Sequence, residues 1–370
     1  MFILPIVFDS LKVAFAINHQ QAKLKRITIT DVAKLAGVHH STVSRALKNH
    51  PGIPEQTRKK ILEVVKKLKY VPDPHLSALA FYKNSLRPVG FLANFAWITN
   101  FPKEDGWRDN PHFPFYYEGA KTRAAELGYG LDTLWLPGIL ASGKSPSQVL
   151  RNRSIRGLLF PPQPGPNTSL KLDWDDFSVV SFGFTLTQPS IHNVALDHFR
   201  SIQKLMKKVH ELGYRKPQLI LSQASDLRVS SAWSAGFATS LRQFGLSPSE
   251  PVFLNSPDFS EFLACIKQTK PDVILTTRGW ATLAREHLPS NGLQVPRDFG
   301  IAAINLTPTD HGFNGIVENG RLIGRHAVDM LTAMLQRGET GVPENVKHLV
   351  TEGEIQNGAT LRNLSRKTAS

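Results

Sequence analysis

Five polar residues between positions 40 and 48 are the part of this chain best equipped to recognise another molecule. Their spacing of i, i+1, i+4, i+5 and i+8 places them on one face of a helix: His40, Ser41, Ser44, Arg45 and Lys48. An arginine fork can bridge the two acceptors of guanine, while hydroxyl, imidazole and ammonium groups can meet other base edges and phosphates. The pattern therefore indicates a helix that reads the major groove of DNA, although a solvated outer face has a similar composition.

Two short helices and a glycine turn must position this face. Their inward residues repeat at i, i+3 and i+4: Val32, Leu35 and Ala36 in the first helix, and Val43, Ala46 and Leu47 in the second. Gly37 supplies the tight turn between them. A third helix over residues 54–70 is predicted to close a three-helix core with Ile61, Leu62, Val65 and Leu68.

Positive charge is concentrated in the same region. The chain of 370 residues has a formal net charge of +14, and residues 22–87 hold fourteen lysines and arginines against four acidic residues, a net of +10. Such a concentration on a small module is typical of polyphosphate binding. An anionic membrane is the alternative partner, but no long amphipathic or spanning segment supports it.

The familiar catalytic signatures are missing from the sequence. It has no complete G-x-G-x-x-G after a strand, no Walker A loop, no G-x-S-x-G elbow and no H-E-x-x-H. The thirteen histidines are scattered, and the pair His39-His40 has no further ligands at metal-binding spacing. We therefore expect no catalytic residues, no metal and no cofactor.

The single cysteine and the N-terminal residues of the sequence are informative about the cellular location of the protein. Cys265 alone excludes an intramolecular disulfide and is expected to be a small buried core residue in a reducing cytoplasm. The apolar stretch near the start is interrupted by Asp9 and Lys12 and lacks the features of a signal peptide. Residues 1–26 are therefore interpreted as an extension, either disordered or the product of an upstream start site.

From about Pro88 onward, apolar strands such as IRGLLF and DVILTT alternate with longer helical segments such as SAWSAGFATSLRQFG. This alternation predicts parallel sheets covered on both faces, arranged as two doubly wound lobes. A ligand site is expected between the lobes, at the carboxyl ends of the strands. Two such lobes would also suit a dehydrogenase, a kinase-like transferase or a secreted sugar-binding protein, so the lobes alone leave the function open.

The phrase TITDVAKLAGVHHSTVSRAL resembles the headpiece of the lactose-repressor (LacI/GalR) family of bacterial transcription regulators almost position for position. The phrases VPDPHLSALA, PFYYEGAKTRAAELGYGL and GLQVPRDFGIAAIN are similar to the family's hinge helix and core, so the resemblance covers nearly all of residues 27–355. It implies a helix-turn-helix headpiece followed by a two-lobed core like that of periplasmic binding proteins. It also implies a homodimer that binds a pseudo-palindromic DNA operator and a small effector.

The resemblance assigns roles by position. Base reading falls to His40, Ser41 and Arg45, and minor-groove insertion at the hinge falls to Leu79. Phosphate contacts fall to Thr28, Thr42, Ser44, Lys48 and Thr57. Two residues depart from the family pattern: His39 replaces a serine that would cap the second helix, and Asp73 replaces an asparagine.

The predicted effector pocket departs further from the family. Trp233 stands where sugar-responsive members tend to have an arginine, and Thr277 and Asn305 lie where an asparagine and an aspartate are usual. The residues expected to line the pocket are Asn94, Phe115, Tyr116, Trp233, Thr277, Arg278, Trp280 and Asn305. Aromatic rings can stack on sugars or flat heterocycles, and Arg278 could hold an anion. A degenerate pocket that Trp233 merely fills is the alternative.

The sequence therefore predicts a cytoplasmic, homodimeric transcription regulator, most simply a repressor, whose effector is carbohydrate-derived or anionic. The expected organisation is an extension (1–26), a headpiece (27–72), a hinge (73–87), a core (88–358) and a tail (359–370). A ligand-independent regulator and a carbohydrate receptor of the binding-protein type are the alternatives.

Overall fold

The protein is described by a computed structural model over residues 27–47, 52–70, 91–254 and 258–365. The chain divides into two units, Met1–Pro88 and Val89–Ser370, called here the headpiece and the core. The hinge and the Asp73 departure, together with Lys48 and Leu79, lie outside the described residues.

Among its described residues, the headpiece has three helices: α1 (Ile29–Ala36), α2 (His40–Leu47) and α3 (Glu55–Leu68). A capping box starts α1: the Thr28 hydroxyl accepts the Asp31 N–H at 3.3 Å, and the Asp31 carboxylate accepts the Thr28 N–H at 2.8 Å. Gly37 then turns the chain with a φ of 70°, which favours glycine.

The headpiece core is small and apolar, formed by Val32, Ala33, Ala36, Val43, Ala46, Ile53 and Ile61. Two residues predicted to point inward are instead exposed, Leu35 by 51% and Leu62 by 44%. Successive helix residues are about 100° apart, so Leu35 lies well to one side of the stripe that Val32 and Ala36 bury. Leu62 lies about 100° from Ile61 for the same reason.

The core has two six-stranded sheets. The first has the order β13-β7-β5-β3-β1-β2 with every pair parallel, and the second has the order β14-β12-β11-β10-β8-β9, parallel except for β14 against β12. The strands are β1 (Ala93–Thr99), β2 (Tyr129–Trp135), β3 (Gly157–Phe160), β4 (Thr168–Ser169), β5 (Ser178–Phe182), β6 (Leu186–Gln188), β7 (Asn193–Leu196), β8 (Pro217–Ser222), β9 (Val252–Leu254), β10 (Val273–Thr276), β11 (Gly300–Leu306), β12 (Asn314–Val317), β13 (His348–Thr351) and β14 (Glu354–Gln356). The short strands β4 and β6 pair with each other.

Helices cover these sheets, as the alternating pattern predicted. They are α4 (Phe113–Glu126), α5 (Leu136–Ala141), α6 (Pro146–Asn152), α7 (His198–Glu211), α8 (Gln223–Leu227), α9 (Ala232–Gln243), α10 (Phe259–Thr269), α11 (Arg278–His287) and α12 (Gly320–Arg337). Three short 3-10 turns accompany them: Gly106–Asp109, Trp174–Asp176 and Pro289–Asn291.

The chain passes between the two lobes three times, after β7, after β12 and after β13. The passage after β12 leads into α12, which packs on α4 of the first lobe. Two glycines allow that close approach. An added Cβ at Gly119 would lie 2.0 Å from the backbone carbonyl oxygen of Arg321, and one at Gly324 would lie 2.1 Å from the backbone carbonyl oxygen of Tyr116. The prediction of two doubly wound lobes is confirmed.

Candidate DNA-reading surface and effector cleft

The outward face of α2 is held in place by its buried residues, Val43 and Ala46. His40 and Arg45 are exposed on that face, and Ser41, Thr42 and Ser44 are half-buried. The Arg45 Nε donates to the Ser41 carbonyl at 3.4 Å, one turn back along the helix. The predicted base-reading residues therefore share one surface.

His39 caps the start of α2. Its Nδ1 accepts the Ser41 N–H at 3.4 Å and lies 2.8 Å from the Ser41 hydroxyl, and its carbonyl accepts the Thr42 and Val43 N–H groups. The imidazole thus takes the capping role that serine has in the family. The Ser41 hydroxyl consequently has a partner inside the headpiece.

The predicted phosphate contacts are placed unevenly. The Thr28 hydroxyl donates to the Asp31 carboxylate at 2.7 Å, so its proton is engaged in the start of α1 and we leave Thr28 out of the donors proposed below. Thr57 is half-buried near the start of α3.

In the core, a buried polar cluster brings both lobes together at a passage between them. Glu318, just after β12, accepts a short hydrogen bond from the Tyr116 hydroxyl of α4 and lies with its Oε2 3.3 Å from His112 Nδ1. Trp233, at the start of α9, lies edge-on to His198 with 5.2 Å between ring centroids. Of the predicted pocket residues, Tyr116 and Trp233 are therefore in or beside this cluster.

The protonation of the cluster follows from burial and contact. Burial raises the pKa of Glu318, but hydrogen bonds and charge interactions with His112, together with the charge of His198 and the hydroxyl of Tyr116, lower it further than burial raises it, so the net pKa is below its ordinary value. Burial lowers the pKa of His198 to about 4. Burial and the neighbouring Glu318 raise the pKa of Tyr116 well above its usual range. At neutral pH the cluster therefore holds an ionised Glu318 and a neutral His198.

Aromatic rings form a wall next to the cluster. Tyr116 stacks on Phe182 at 5.5 Å between centroids, and Trp97 contacts both Phe182 at 5.1 Å and Trp107 at 5.6 Å. Several buried polar atoms on and around this wall have no hydrogen-bond partner: the indole nitrogens of Trp97, Trp107 and Trp233, His112 Nε2, His198 Nδ1 and Gln163 Oε1. Buried polar atoms are nearly always paired, so water or a bound ligand is the expected partner of these atoms.

Three predicted residues lie together at the carboxyl ends of the second sheet, with their polar groups largely engaged. Asn305 Oδ1 accepts the Arg278 N–H at 2.8 Å, and the Arg278 Nε donates to Asp310 at 2.5 Å. Burial raises the pKa of Asp310, but hydrogen bonds from Thr307 and Arg278 outweigh it and lower the pKa. Thr277 precedes α11 as its N-terminal cap position. Arg278 is thus already neutralised, unlike the anion holder that the sequence predicted.

Three other predicted pocket residues are placed elsewhere. Trp280 is stacked on Phe262 at 5.2 Å inside the core of the second lobe, because its side of α11 packs toward α10. Asn94 lies near the amino end of β1, where its amide donates to Asp132 at 3.0 Å. Phe115 contacts the start of α12, with the Arg321 guanidinium 4.7 Å from its ring centre. We leave these three out of the site proposed below.

Sequence reasoning missed Arg228 entirely. It follows α8 in the second lobe, and its Nη1 donates to the Pro164 carbonyl of the first lobe at 2.8 Å. His112, His198 and Glu318 were missed as well, because no motif marks them and their proximity depends on the passages between lobes.

Within the described ranges, no group of three or more His, Cys, Asp or Glu residues is arranged to hold a metal ion. Cys265 is buried, and burial raises the pKa of its thiol. No described helix is both long and apolar enough to cross a membrane.

These features define a class of protein that has a helix-turn-helix headpiece followed by a two-lobed α/β core of the periplasmic-binding-protein type. Residues 28–73 match the family model described as bacterial regulatory proteins, lacI family. These residues therefore form a DNA-binding domain of the lacI type.

Similar curated proteins include the probable repressor ExuR of Bacillus subtilis, 53% identical over 74 residues, which are 20% of this chain and 21% of that protein. The regulator MalR of Streptococcus pneumoniae is 30% identical over 141 residues, 36% of this chain and 38% of MalR. The regulator PtxS of Pseudomonas plecoglossicida is 26% identical over 288 residues, 76% of this chain and 79% of PtxS. The alignments with ExuR and MalR thus span well under half of each relative's length.

Solved structures share the fold. A CelR–cellobiose complex has a TM-score of 0.53 at 19% identity, covering 90% of this chain and 100% of that one. A lac repressor dimer bound to operator and the anti-inducer ONPF also has a TM-score of 0.53 at 19% identity, covering 91% and 100%.

Proposed function

We propose that this protein is a sequence-specific DNA-binding transcription regulator, acting as a repressor by occupying its operator. The observation that carries the proposal is the outward face of α2, where the exposed Arg45 and His40 stand on a folded three-helix headpiece whose sequence matches the lacI family. Arg45 and His40 would contact base edges, and the half-buried Ser41 on the same face of α2 would contribute to base reading.

Phosphate contacts are assigned in this proposal to Thr42, Ser44, Lys48 and Thr57, which would fix the register of the headpiece on the duplex. Leu79 of the hinge would enter the minor groove. One headpiece reads one half-site, so a homodimer with two-fold symmetry would read a pseudo-palindrome. A protein that binds chromosomal DNA in this way would act in the bacterial cytoplasm.

The core would receive a small-molecule effector between its lobes. Support comes from the unpartnered polar atoms of Trp233, His112 and His198, which lie at the cluster between the lobes. A ligand that prefers one lobe orientation would bias the hinge and so change DNA affinity. CelR in complex with cellobiose and the lac repressor in complex with ONPF are structures of the same fold that hold such ligands.

The test is selection of binding sites from random duplexes by the full chain, followed by titration of the selected duplex and a scrambled one at two salt concentrations. We expect a pseudo-palindromic consensus and tight binding to the selected duplex alone. Equal affinity for selected and scrambled duplexes would contradict the proposal.

A ligand-independent regulator is the second candidate, favoured by one observation: Trp233 is only 5% exposed and takes the place of a ligand-gripping arginine. In that case the operator would still be selected, but no small molecule would alter its affinity. A carbohydrate receptor without DNA affinity would select no duplex.

A further inference from the structure

Arg228 is a partly buried cation that joins the two lobes. It follows β8 and α8 at the carboxyl end of the second sheet, and its Nη1 donates to the Pro164 carbonyl, which follows β3 of the first lobe, at 2.8 Å. The Arg228 side chain is half-buried, and this burial lowers the pKa of its guanidinium. The residue therefore lies where the carboxyl ends of the two sheets face each other.

No described acidic residue pairs with Arg228. Asp226, two positions earlier, instead accepts hydrogen bonds from the Ser234 N–H at 3.2 Å and the Ser234 hydroxyl at 2.6 Å. Glu318 is engaged by Tyr116 and His112. Arg278, the other arginine at this end of the second sheet, has Asp310. Arg228 is thus a half-buried charge whose described contacts supply a carbonyl but no anion, so a bound anion could still pair with it.

Two buried residues close in sequence to Pro164 and to Arg228 also have unpartnered polar atoms. Gln163, next to Pro164, is fully buried, and its Oε1 has no partner. Trp233 is almost fully buried, and its indole N–H has no acceptor. Tyr116 lies near enough for its phenol to interact electrostatically with the Arg228 charge. Together these residues offer a guanidinium fork and an N–H donor beside a wall of rings.

We propose that Arg228 is the anion-binding residue of the effector site, and that the effector is a small carboxylic acid held between the lobes. A carboxylate matches the planar fork in two parallel hydrogen bonds and supplies the one negative charge that is missing. A phosphate dianion would bring a second negative charge close to the cluster that already holds ionised Glu318. This inference rests on the proposed effector site, but its test does not require DNA.

The position of Arg228 also gives the carboxylate a way to act on the lobes. The guanidinium has five N–H donors, of which one is used by Pro164. A carboxylate bound by the remaining donors would leave the hydrogen bond to Pro164 in place. It would also neutralise the positive charge of Arg228 at this contact between the lobes. Acid binding is therefore expected to favour the lobe arrangement in which Arg228 contacts Pro164.

The experiment uses the full chain and measures its melting temperature against increasing sodium formate, acetate and glucuronate. Sodium chloride keeps the ionic strength constant, glucose is the uncharged match for glucuronate, and inorganic phosphate is a separate arm. Three variants are compared with the parent: Arg228→Gln keeps a donor for Pro164 without the charge, Arg228→Lys keeps the charge without the fork, and Arg242→Gln removes an exposed arginine of the same lobe.

We expect each carboxylate to raise the melting temperature of the parent and of Arg242→Gln, with glucuronate effective at lower concentration than glucose. In Arg228→Gln the midpoint concentration should rise at least tenfold or the response should disappear, and Arg228→Lys should lie between. Equal carboxylate responses in the parent and Arg228→Gln would overturn the proposal, as would a parent that responds to carboxylates no more than to chloride. A stronger response to phosphate than to carboxylates would overturn the assignment to a carboxylic acid.

Operator binding without added acid separates this inference from the proposed function. A parent chain that selects no operator but responds to carboxylates through Arg228 would overturn the regulator and support the acid site. A chain that binds its operator and shows no Arg228-dependent response would overturn the acid site alone.

Discussion

Arg45 presents its guanidinium on the exposed side of α2, with its Nε directed to the Ser41 carbonyl. Arg45→Ala should weaken binding to the selected operator by about 1–3 kcal/mol and blunt discrimination at one base pair, because a bidentate contact with guanine is lost. Arg45→Lys is the matched control for charge: it should retain affinity for scrambled DNA while losing the base preference. Titrations on operator and single-base variants measure both effects, and unchanged base preference in both substitutions would remove Arg45 from base reading.

Lys48 is predicted to contact a phosphate, whereas Arg45 is predicted to read a base. Lys48→Ala should weaken operator and scrambled duplexes by similar factors and reduce the salt dependence by about one counter-ion, because a phosphate contact carries no sequence information. Affinities at several salt concentrations check this expectation. A loss confined to the operator would assign Lys48 to base edges instead.

The clearest lesson about single residues concerns polar partners. The sequence grouped Tyr116, Trp233, Arg278 and Asn305 in one predicted effector pocket. It could not show that Asp310 neutralises Arg278, because that pair joins the start of α11 to the loop after β11 at 2.5 Å. The charge without an acidic partner is Arg228, which no motif marks.

At the scale of elements, the helix pair α4 and α12 depends on glycine. Gly324→Ala should destabilise the core by about 1–3 kcal/mol or more, since its Cβ would lie 2.1 Å from the Tyr116 oxygen and 2.6 Å from the Ala120 nitrogen. Gly279→Ala on α11 is a matched control, because a Cβ added at Gly279 would meet nothing within 4 Å. This substitution should be neutral or stabilising by up to about 1 kcal/mol. Denaturant unfolding of both variants compares them, and equal stabilities would contradict the packing argument.

The start of α2 carries another element-scale expectation. His39→Ala should reduce protection of the α2 amides and cost about 0.5–2 kcal/mol of headpiece stability, because the acceptor for the Ser41 N–H is removed. His39→Ser, which restores an N-cap oxygen, should recover the protection. Hydrogen exchange of the α2 amides checks both variants, and parent-like exchange in His39→Ala would show that the imidazole contributes nothing to the helix.

Periodicity predicted the elements of the headpiece and the two doubly wound lobes, but not the burial of every apolar residue on a helix. An i, i+3, i+4 pattern fits two neighbouring stripes of a helix, and only packing chooses between them, so Leu35 and Leu62 are exposed. Trp280 was misplaced for the same reason: its spacing allowed the cleft, whereas the ring stacks on Phe262. Tertiary contacts, which a single sequence does not contain, decide such cases.

For the whole molecule, the buried cluster between the lobes makes stability depend on pH. The pKa of His198 is about 4 in the folded chain and near its ordinary value of 6.5 when unfolded, so between these values the unfolded state binds more protons and stability falls as pH falls. The lowered pKa of Glu318 acts in the same direction. The groups facing His198 are Glu318, His112 and Asp197, of which the two carboxylates oppose the effect of burial.

We therefore expect the melting temperature of the core to decline from pH 7 to pH 4.5, and His198→Phe to make that decline shallower. Thermal unfolding at half-unit intervals of pH measures both slopes. His210→Phe is the control and should keep the parent slope, since His210 is half-buried near the end of the same helix and stacks on Phe244, away from Glu318. A parent slope in His198→Phe would place the acid sensitivity elsewhere in the molecule.

The arrangement of two headpieces on DNA is the last expectation at this scale. If the chain binds as a two-fold dimer, the two recognition helices enter successive major grooves on one side of the duplex, about one helical turn or a multiple of it apart. Inserting about 5 base pairs at the centre of the selected operator rotates one half-site to the opposite side, and affinity should fall by on the order of 10³-fold toward the non-specific level. An insertion of about 10 base pairs restores the facing and should recover more affinity than the shorter insertion. Titration of the three duplexes at one salt concentration decides the matter, because a monomeric reader would bind all three with nearly the same affinity.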